Sequence, residues 1–378
     1  MSDVLAIVFH TPFGSSRLEQ LVGRARRAAA EDLIARLEAA VSHVVVATPR
    51  EEDAAAFRNI GAEVLKTAAD GSFDFGHTLA AILRTTKAQS VLSFGSGSGA
   101  LLERRHIESL AEFARQSSPA ALLNNFYSCD FVALAGAQTL LDIRLPAVDN
   151  GLGFVLADAG IRCFAMPRDA ASQFDIDLPT DLCLLNQGDR GGPALRRVLD
   201  DWLMTHPTLE ALSRLLTDRS ALVEIGGRIH PGMWQAFEQA TACRTAGFAE
   251  GRGLKGYPDG RNPLVQSLIG DDPSLFFERL AAAADGAILD TRPLLGIGGV
   301  LPPPQDRFAS DLFLVDEVSD PRWRAFTEAA EKATIPVILG GHNLVSGGLL
   351  LLAEHCWKGR DLPRRLHPES FRWKEESS

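Results

Sequence analysis

"VLSFGSGSGALL", residues 91–102, runs from apolar residues into three glycines alternating with two serines, and a helix-like segment follows. A strand that empties through a glycine-rich turn into a helix is a junction where α/β proteins receive phosphate, because the free N–H groups at a helix start favour an anion. The same succession surrounds it. "VLAIVF" (4–9), "HVVVAT" (43–48), "AEVLK" (62–66), "AALLNNF" (120–126), "CDFVALAG" (129–136) and "IRCFAMP" (161–167) read as strands. Amphipathic stretches at 18–40, 76–86, 104–116 and 149–159, and one ending near Phe57, read as the helices between them. Continuous apolar strands alternating with helices predict an α/β fold with a mostly parallel sheet covered on both faces.

A polar, glycine-rich link, "NQGDRGGP" (186–193), suggests a boundary, giving domains at 1–188 and 189–378. Beyond it, helices are expected at 194–204 and 208–216. Short strands are expected at "ALVEIGG" (221–227), "CRTAGFA" (243–249), "GAILDTR" (286–292) and "PVILGG" (336–341), with "PPPQDR" (302–307) as a loop. The remainder reads as a second, smaller α/β domain.

The 378 residues carry a net charge of −10, with 16 Lys+Arg against 22 Asp+Glu in residues 1–188 and 22 against 26 in the rest. Neither half is a basic module, which argues against a nucleic-acid surface. No apolar run approaches the roughly 20 residues that span a bilayer, and no cationic leader precedes the first one, so no membrane partner is expected. Five cysteines at 129, 163, 183, 243 and 356 lack metal spacing and fit a reducing cytoplasm. A homodimer is compatible with this composition.

The first strand delivers "HTPFGSSRLEQL" (10–21) into a helix, placing backbone N–H groups and Arg17 near one point. "FDIDLPTDL" (174–182) ends the half. From its residues it reads as a helix start, with Asp177 as cap and Asp181 in the first turn. "LLNNFYSCD" (122–130) bunches Asn124, Asn125, Tyr127, Ser128 and Asp130 at a strand end, as a crevice wall or a hydrogen-bonded turn. "VDNGLGF" (148–154) reads best as a helix capped by Asp149 or Asn150.

In this order "GSSRL", "GHTLAAIL", the "GSGSG" turn and "FDIDLPTDL" resemble the molybdenum-cofactor guanylyltransferase and 2-phospho-L-lactate guanylyltransferase superfamily. Its members have the nucleotide-diphospho-sugar transferase (GT-A-like) fold, and the likeness covers about residues 4–186. The resemblance implies a nucleotidyltransferase that joins GTP or another NTP to a small phosphorylated or carboxylated acceptor. Gly14, Ser15, Ser16 and Arg17 would lie against phosphates, and His77 and Thr78 would approach base or ribose. Gly95, Ser96 and Gly97 would complete the nucleotide site, and Asp175 and Asp177 would hold Mg²⁺, with Arg17 and Asp177 catalytic. Two departures stand out. Ser96 occupies the place of the family's metal-binding aspartate, and residues 9–17 lack its lysine, His10 standing near that place. The alternative is a degenerate nucleotide- or sugar-binding module, with any chemistry in the second half.

The second half resembles no family, but polar sets follow its apolar runs. In a parallel sheet such strand ends converge on one crevice. Glu224, Arg228, His230, Glu250, Arg252, Lys255, Asp290, Arg292 and His342 form a possible second site for an anionic substrate.

Overall fold

The computed structural model describes residues 3–68, 73–202, 205–249, 265–270, 272–296 and 301–359. Strands β1 (Val4–Phe9), β2 (His43–Thr48), β3 (Glu63–Lys66), β4 (Ser90–Gly95), β5 (Ala120–Leu123), β6 (Phe131–Ala135) and β7 (Arg162–Ala165) form one sheet. Its order is β3-β2-β1-β4-β6-β5-β7. The first four strands are mutually parallel, β6 runs antiparallel to both β4 and β5, and β7 is parallel to β5. Every residue of β1 and β6 is buried, as expected of strands covered on both faces. One apolar cluster on Phe57, Leu92, Ile107 and Leu110, and a second on Ile7, Leu79, Leu83 and Leu152, fill the layers above and below. The N-terminal unit is a three-layer α/β arrangement with a mostly parallel sheet.

Strands β8 (Leu222–Gly227), β9 (Arg244–Ala249), β10 (Gly286–Asp290) and β11 (Val337–Gly340) form a second sheet, all parallel, in the order β11-β10-β8-β9. The helix Arg17–Leu37 lies between the two sheets. It starts at a capping box in which Ser16 and Glu19 satisfy each other's backbone N–H, an arrangement worth about 1 kcal/mol. Its last turns bury Ala30, Leu33, Ile34 and Leu37 on the first sheet. Its first turns, Leu18 to Ala29, enter the largest apolar cluster, which also holds Ile225, Leu289 and Leu339 of the second sheet. Asp32 on the same helix accepts the N–H groups of Ala194 and Leu195, both at 2.9 Å, and so caps the Pro193–Asp201 helix. One core thus crosses the polar link at 186–193.

Three expectations change. "PPPQDR" is not a loop: the prolines precede and open a helix, Pro304–Asp311, because proline suits the first helical turn. "DTR" leaves the strand at Asp290, which caps a short helix, Thr291–Leu295, through the N–H of Arg292. Neither Asp149 nor Asn150 caps the Leu152–Asp158 helix; its N-cap is Gly151, without a side-chain bond. Among the described residues, no helix is long and apolar enough to cross a membrane.

Candidate functional site

The glycine turn after β4 and the "FDIDLPTDL" segment meet. Gly97 accepts the N–H of Ile176 at 3.1 Å, and a Cβ at position 97 would lie 2.4 Å from Asp175 Oδ1 and 2.7 Å from the Ile176 carbonyl. Glycine is required by this close approach, since either contact is shorter than a side-chain carbon tolerates. Ser96 is wholly buried, and its N–H is taken by Phe9 of β1.

Arg26 joins the two segments. From the first helix its Nε reaches Ser96 Oγ at 3.3 Å and its Nη1 lies 3.6 Å from Asp177 Oδ1, while its guanidinium sits 5.1 Å from the Phe13 ring centre. The pair is lopsided: the Arg26 side chain is 14% exposed, that of Asp177 50%. Two more carboxyls feel Arg26. Burial raises the Asp149 pKa, opposed by hydrogen bonds to backbone N–H groups and by the positive charge of Arg26. Asp175 is raised well above the usual carboxylate range, by burial first and by neighbouring Asp177 second.

Asp181 serves structure. Its Oδ2 accepts the N–H groups of Asp177 and Leu178, each at 2.8 Å, and its Oδ1 accepts Asn343 Nδ2 at 2.7 Å. Asn343, just past β11, also accepts the Asp175 N–H at 3.1 Å. The N-cap position is Leu178, so Asp177 does not cap the Pro179–Gly188 helix, and Asp181 closes its first turn. Burial lifts the Asp181 carboxyl to about 7 despite these donors.

Several residues singled out from sequence are otherwise engaged. Ser16 Oγ donates to Glu19 at 2.6 Å, and Arg17 is exposed and paired with Glu317 at 2.7 Å. Gly14 and Ser15 are exposed in the loop between them and β1. His77 is exposed on the helix Phe75–Thr86, where its N–H meets the cap Asp74, and the Thr78 hydroxyl donates to the Asp74 carbonyl. Gly95 exchanges backbone bonds with Asp130 and Ser98. His10 does not substitute for a lysine. It is buried 3.5 Å from Asp53, and desolvation lowers its pKa, which favours the neutral ring. Asn124 accepts the N–H groups of Asp130 and Phe131 and donates to Asp130, so that cluster is a hydrogen-bonded turn.

At the carboxyl end of the second sheet the expected cluster is partly assembled. Arg228 grips Asp290 with Nε at 2.6 Å and Nη2 at 3.0 Å. Gly227 (φ 127°) needs to be glycine, since a Cβ there would meet the Asp290 Cβ at 2.3 Å. Arg292, fully enclosed, grips Asp311 at 2.6 and 2.8 Å and donates to the Gly340 carbonyl at 2.7 Å. Burial pushes Asp290 up, but Arg228, Arg292 and His342 outweigh it and hold the carboxyl below its ordinary range. His230 caps the Pro231–Ala240 helix and stacks on Tyr127 of the first half at 5.7 Å. Glu224 does not join the set, because it lies mid-strand in β8, opposite Ala287 and Ala246. Glu250, Arg252 and Lys255 lie outside the described residues.

The donors do not fit Mg²⁺, which demands an octahedron of oxygens at about 2.0–2.1 Å. Asp175 Oδ1 already accepts the Ile176 N–H at 2.9 Å, Ser96 is uncharged, and Asp177 already faces a guanidinium. Among the described residues, no three or more His, Cys, Asp or Glu are grouped to hold a metal ion.

Sequence reasoning missed Arg26 and Asn343. Arg26 is one of three arginines in "GRARR" (23–27), distinguished only by its helical face. Asn343 carries no local signal, since its partners Asp175 and Asp181 lie 168 and 162 positions away.

No protein-family model matches the chain, and no curated protein matches it. Among solved structures it is similar to a nucleotidyl transferase from Methanothermobacter thermautotroptrophicus, with 18% identity, 47% of this chain, 94% of the other and a TM-score of 0.39. A cytidylyltransferase from Leptospira borgpetersenii gives 15% identity, 44% and 76% coverage and 0.34. A CMP:2-keto-3-deoxy-manno-octonic acid synthetase complexed with CTP gives 14%, 44%, 90% and 0.32.

Proposed function

We propose that the chain is a nucleotidyltransferase-like protein of the nucleotide-diphospho-sugar transferase superfamily, binding an NTP and a small phosphorylated or carboxylated acceptor. The observation that carries this reading is Arg26, which draws the glycine turn at Ser96 and the Asp177 segment to one point at the carboxyl end of the sheet. Residues 1–188 hold the nucleotide and residues 189–378 face the acceptor. Arg26 takes the phosphate-neutralising part, because Arg17 is held by Glu317. Gly14–Ser16 border the triphosphate, and His77 the base.

An ionised acceptor oxygen attacks the α-phosphorus as its bond to the bridging oxygen breaks and pyrophosphate leaves. Such an oxygen carries no proton, so no general base is required. The chain contributes alignment of the two reactants and a guanidinium against the developing charge.

A second reading, nucleotide binding without turnover, is favoured by one feature: Arg26 fills the gap between Ser96 and Asp177. Thermal-shift titration with GTP, CTP, ATP and UTP, with and without Mg²⁺, tests both. Stabilisation by one of them, lost in Arg26→Ala, supports the site; no response to any sinks it. Pyrophosphate release with phosphorylated or carboxylated acceptors then separates transferase from binding module.

A further inference from the structure

The carboxyl end of the second sheet holds three guanidinium groups and two carboxylates. Arg228 and Asp290 neutralise each other, as do Arg292 and Asp311, each through two hydrogen bonds. The third cation is Arg307. It projects from the Pro304–Asp311 helix one turn before Asp311, hence on the same face. No carboxylate pairs with it among the described residues, and its Nε is buried without a hydrogen-bond partner. Burial, reinforced by Arg292 and opposed by Asp311 and Glu19, brings its pKa down to about 10, so it remains charged at neutral pH.

Arg307 is half-buried, and a buried guanidinium nitrogen without a partner among the described residues is costly unless something supplies one. Asp311 attracts Arg307 without a direct bond to it, because both its oxygens are engaged by Arg292. Arg228 is near enough for its charge to act on Arg307. Its Nε and Nη2 are committed to Asp290, and its side chain is 20% exposed. Glu19 of the first helix is near enough to be felt by Arg307, and Phe308 touches Phe13 at 6.1 Å between ring centres. Arg307 therefore lies where the second sheet's strand ends face the start of the first helix.

We propose that Arg307, with the outer edge of Arg228, is an oxyanion site that takes the phosphate or carboxylate group of a small molecule. A planar guanidinium edge matches either group, and two such edges around one anion need no metal. That this anion belongs to the acceptor rests on the nucleotidyltransferase-like reading; the site itself does not.

The test uses the full chain and two probes, inorganic phosphate and malonate, titrated calorimetrically and by thermal shift at matched ionic strength. Matching removes the general stabilisation that such salts give any fold. Arg307→Gln is expected to weaken the preferred probe by about tenfold or more, and Arg307→Lys to retain part of its binding. Without anion Arg307→Gln melts no lower than the wild type, because it removes a half-buried charge that has no ion-pair partner among the described residues. Phosphate preferred over malonate assigns a phosphorylated ligand, and the reverse a carboxylated one. Binding of neither probe, or binding unchanged in Arg307→Gln, overturns the site. Arg26→Ala separates the two proposals: it leaves the anion response intact, so loss of all nucleotide binding with anion binding retained overturns the transferase reading alone.

Discussion

The two sheets end in the same way and treat charge in opposite ways. Both deliver strands into glycine turns at their carboxyl ends, and both gather acidic and basic side chains there. At the first sheet Arg26 is the bridge among Asp149, Asp175 and Asp177, and its contacts of 3.3 and 3.6 Å are loose. At the second, two bidentate pairs at 2.6–3.0 Å lock the carboxylates, and Arg307 has no ion-pair partner among the described residues. The first arrangement can yield to an entering ligand because little holds it. The second is a rigid frame that presents one charge. Rigidity here follows from hydrogen-bond count and burial, and the two ends divide the tasks of adapting and fixing.

Removing a lock should give the largest effect. Arg292→Ala strands Asp311, fully buried, without its cation, and is expected to cost about 3–5 kcal/mol in urea unfolding. A loss under about 1 kcal/mol would mean that the second frame is no stiffer than the first.

Next comes the seam between the ends, where Asp181 and Asn343 meet. Burial moves the Asp181 carboxyl from 3.8 to about 7. The folded state then keeps a proton that the unfolded chain has lost, so stability falls as pH rises through this window. Roughly 2–4 kcal/mol should disappear between pH 4 and 8. Asp181→Asn should flatten the profile, since the amide keeps an acceptor oxygen and cannot ionise. A wild-type stability that climbs over this range refutes the assignment.

The positions of the strands could be anticipated from sequence for a physical reason: apolar runs of four to six residues need two covered faces, and glycine turns mark where several of them stop. The site was less legible. "FDIDLPTDL" offers three aspartates with similar neighbours, yet Asp175 is half-buried, Asp177 exposed and Asp181 tied to a residue 162 positions away. Such differences arise from packing between halves, which no local pattern records. Arg307 was equally hidden, because "PPPQDR" suggested a loop and a loop gives no face to compare with Asp311. The prolines in fact begin a helix.

A smaller effect tests the first end. Gly97→Val places carbon against Asp175 and the Ile176 backbone, forcing the segments apart at about 1–3 kcal/mol. Nucleotide stabilisation should drop with it, because Arg26 can no longer span the gap. Loss of stability with nucleotide response intact would detach the glycine turn from the site.

The smallest effect concerns Arg17 and Glu317, which tie the halves at the surface with side chains 58% and 37% exposed. A double-mutant cycle should find a coupling of only about 0.2–1 kcal/mol, diminished by salt. Its value lies in the sign on nucleotide binding. If Arg17 is a phosphate ligand restrained by Glu317, Glu317→Ala frees it and tightens the nucleotide, whereas Arg17→Ala weakens it. If the pair is only a tether, both variants shift binding equally and slightly. Opposite signs would return Arg17 to the role its place in "GSSRL" suggests; equal ones leave Arg26 as the cation on which nucleotide binding depends.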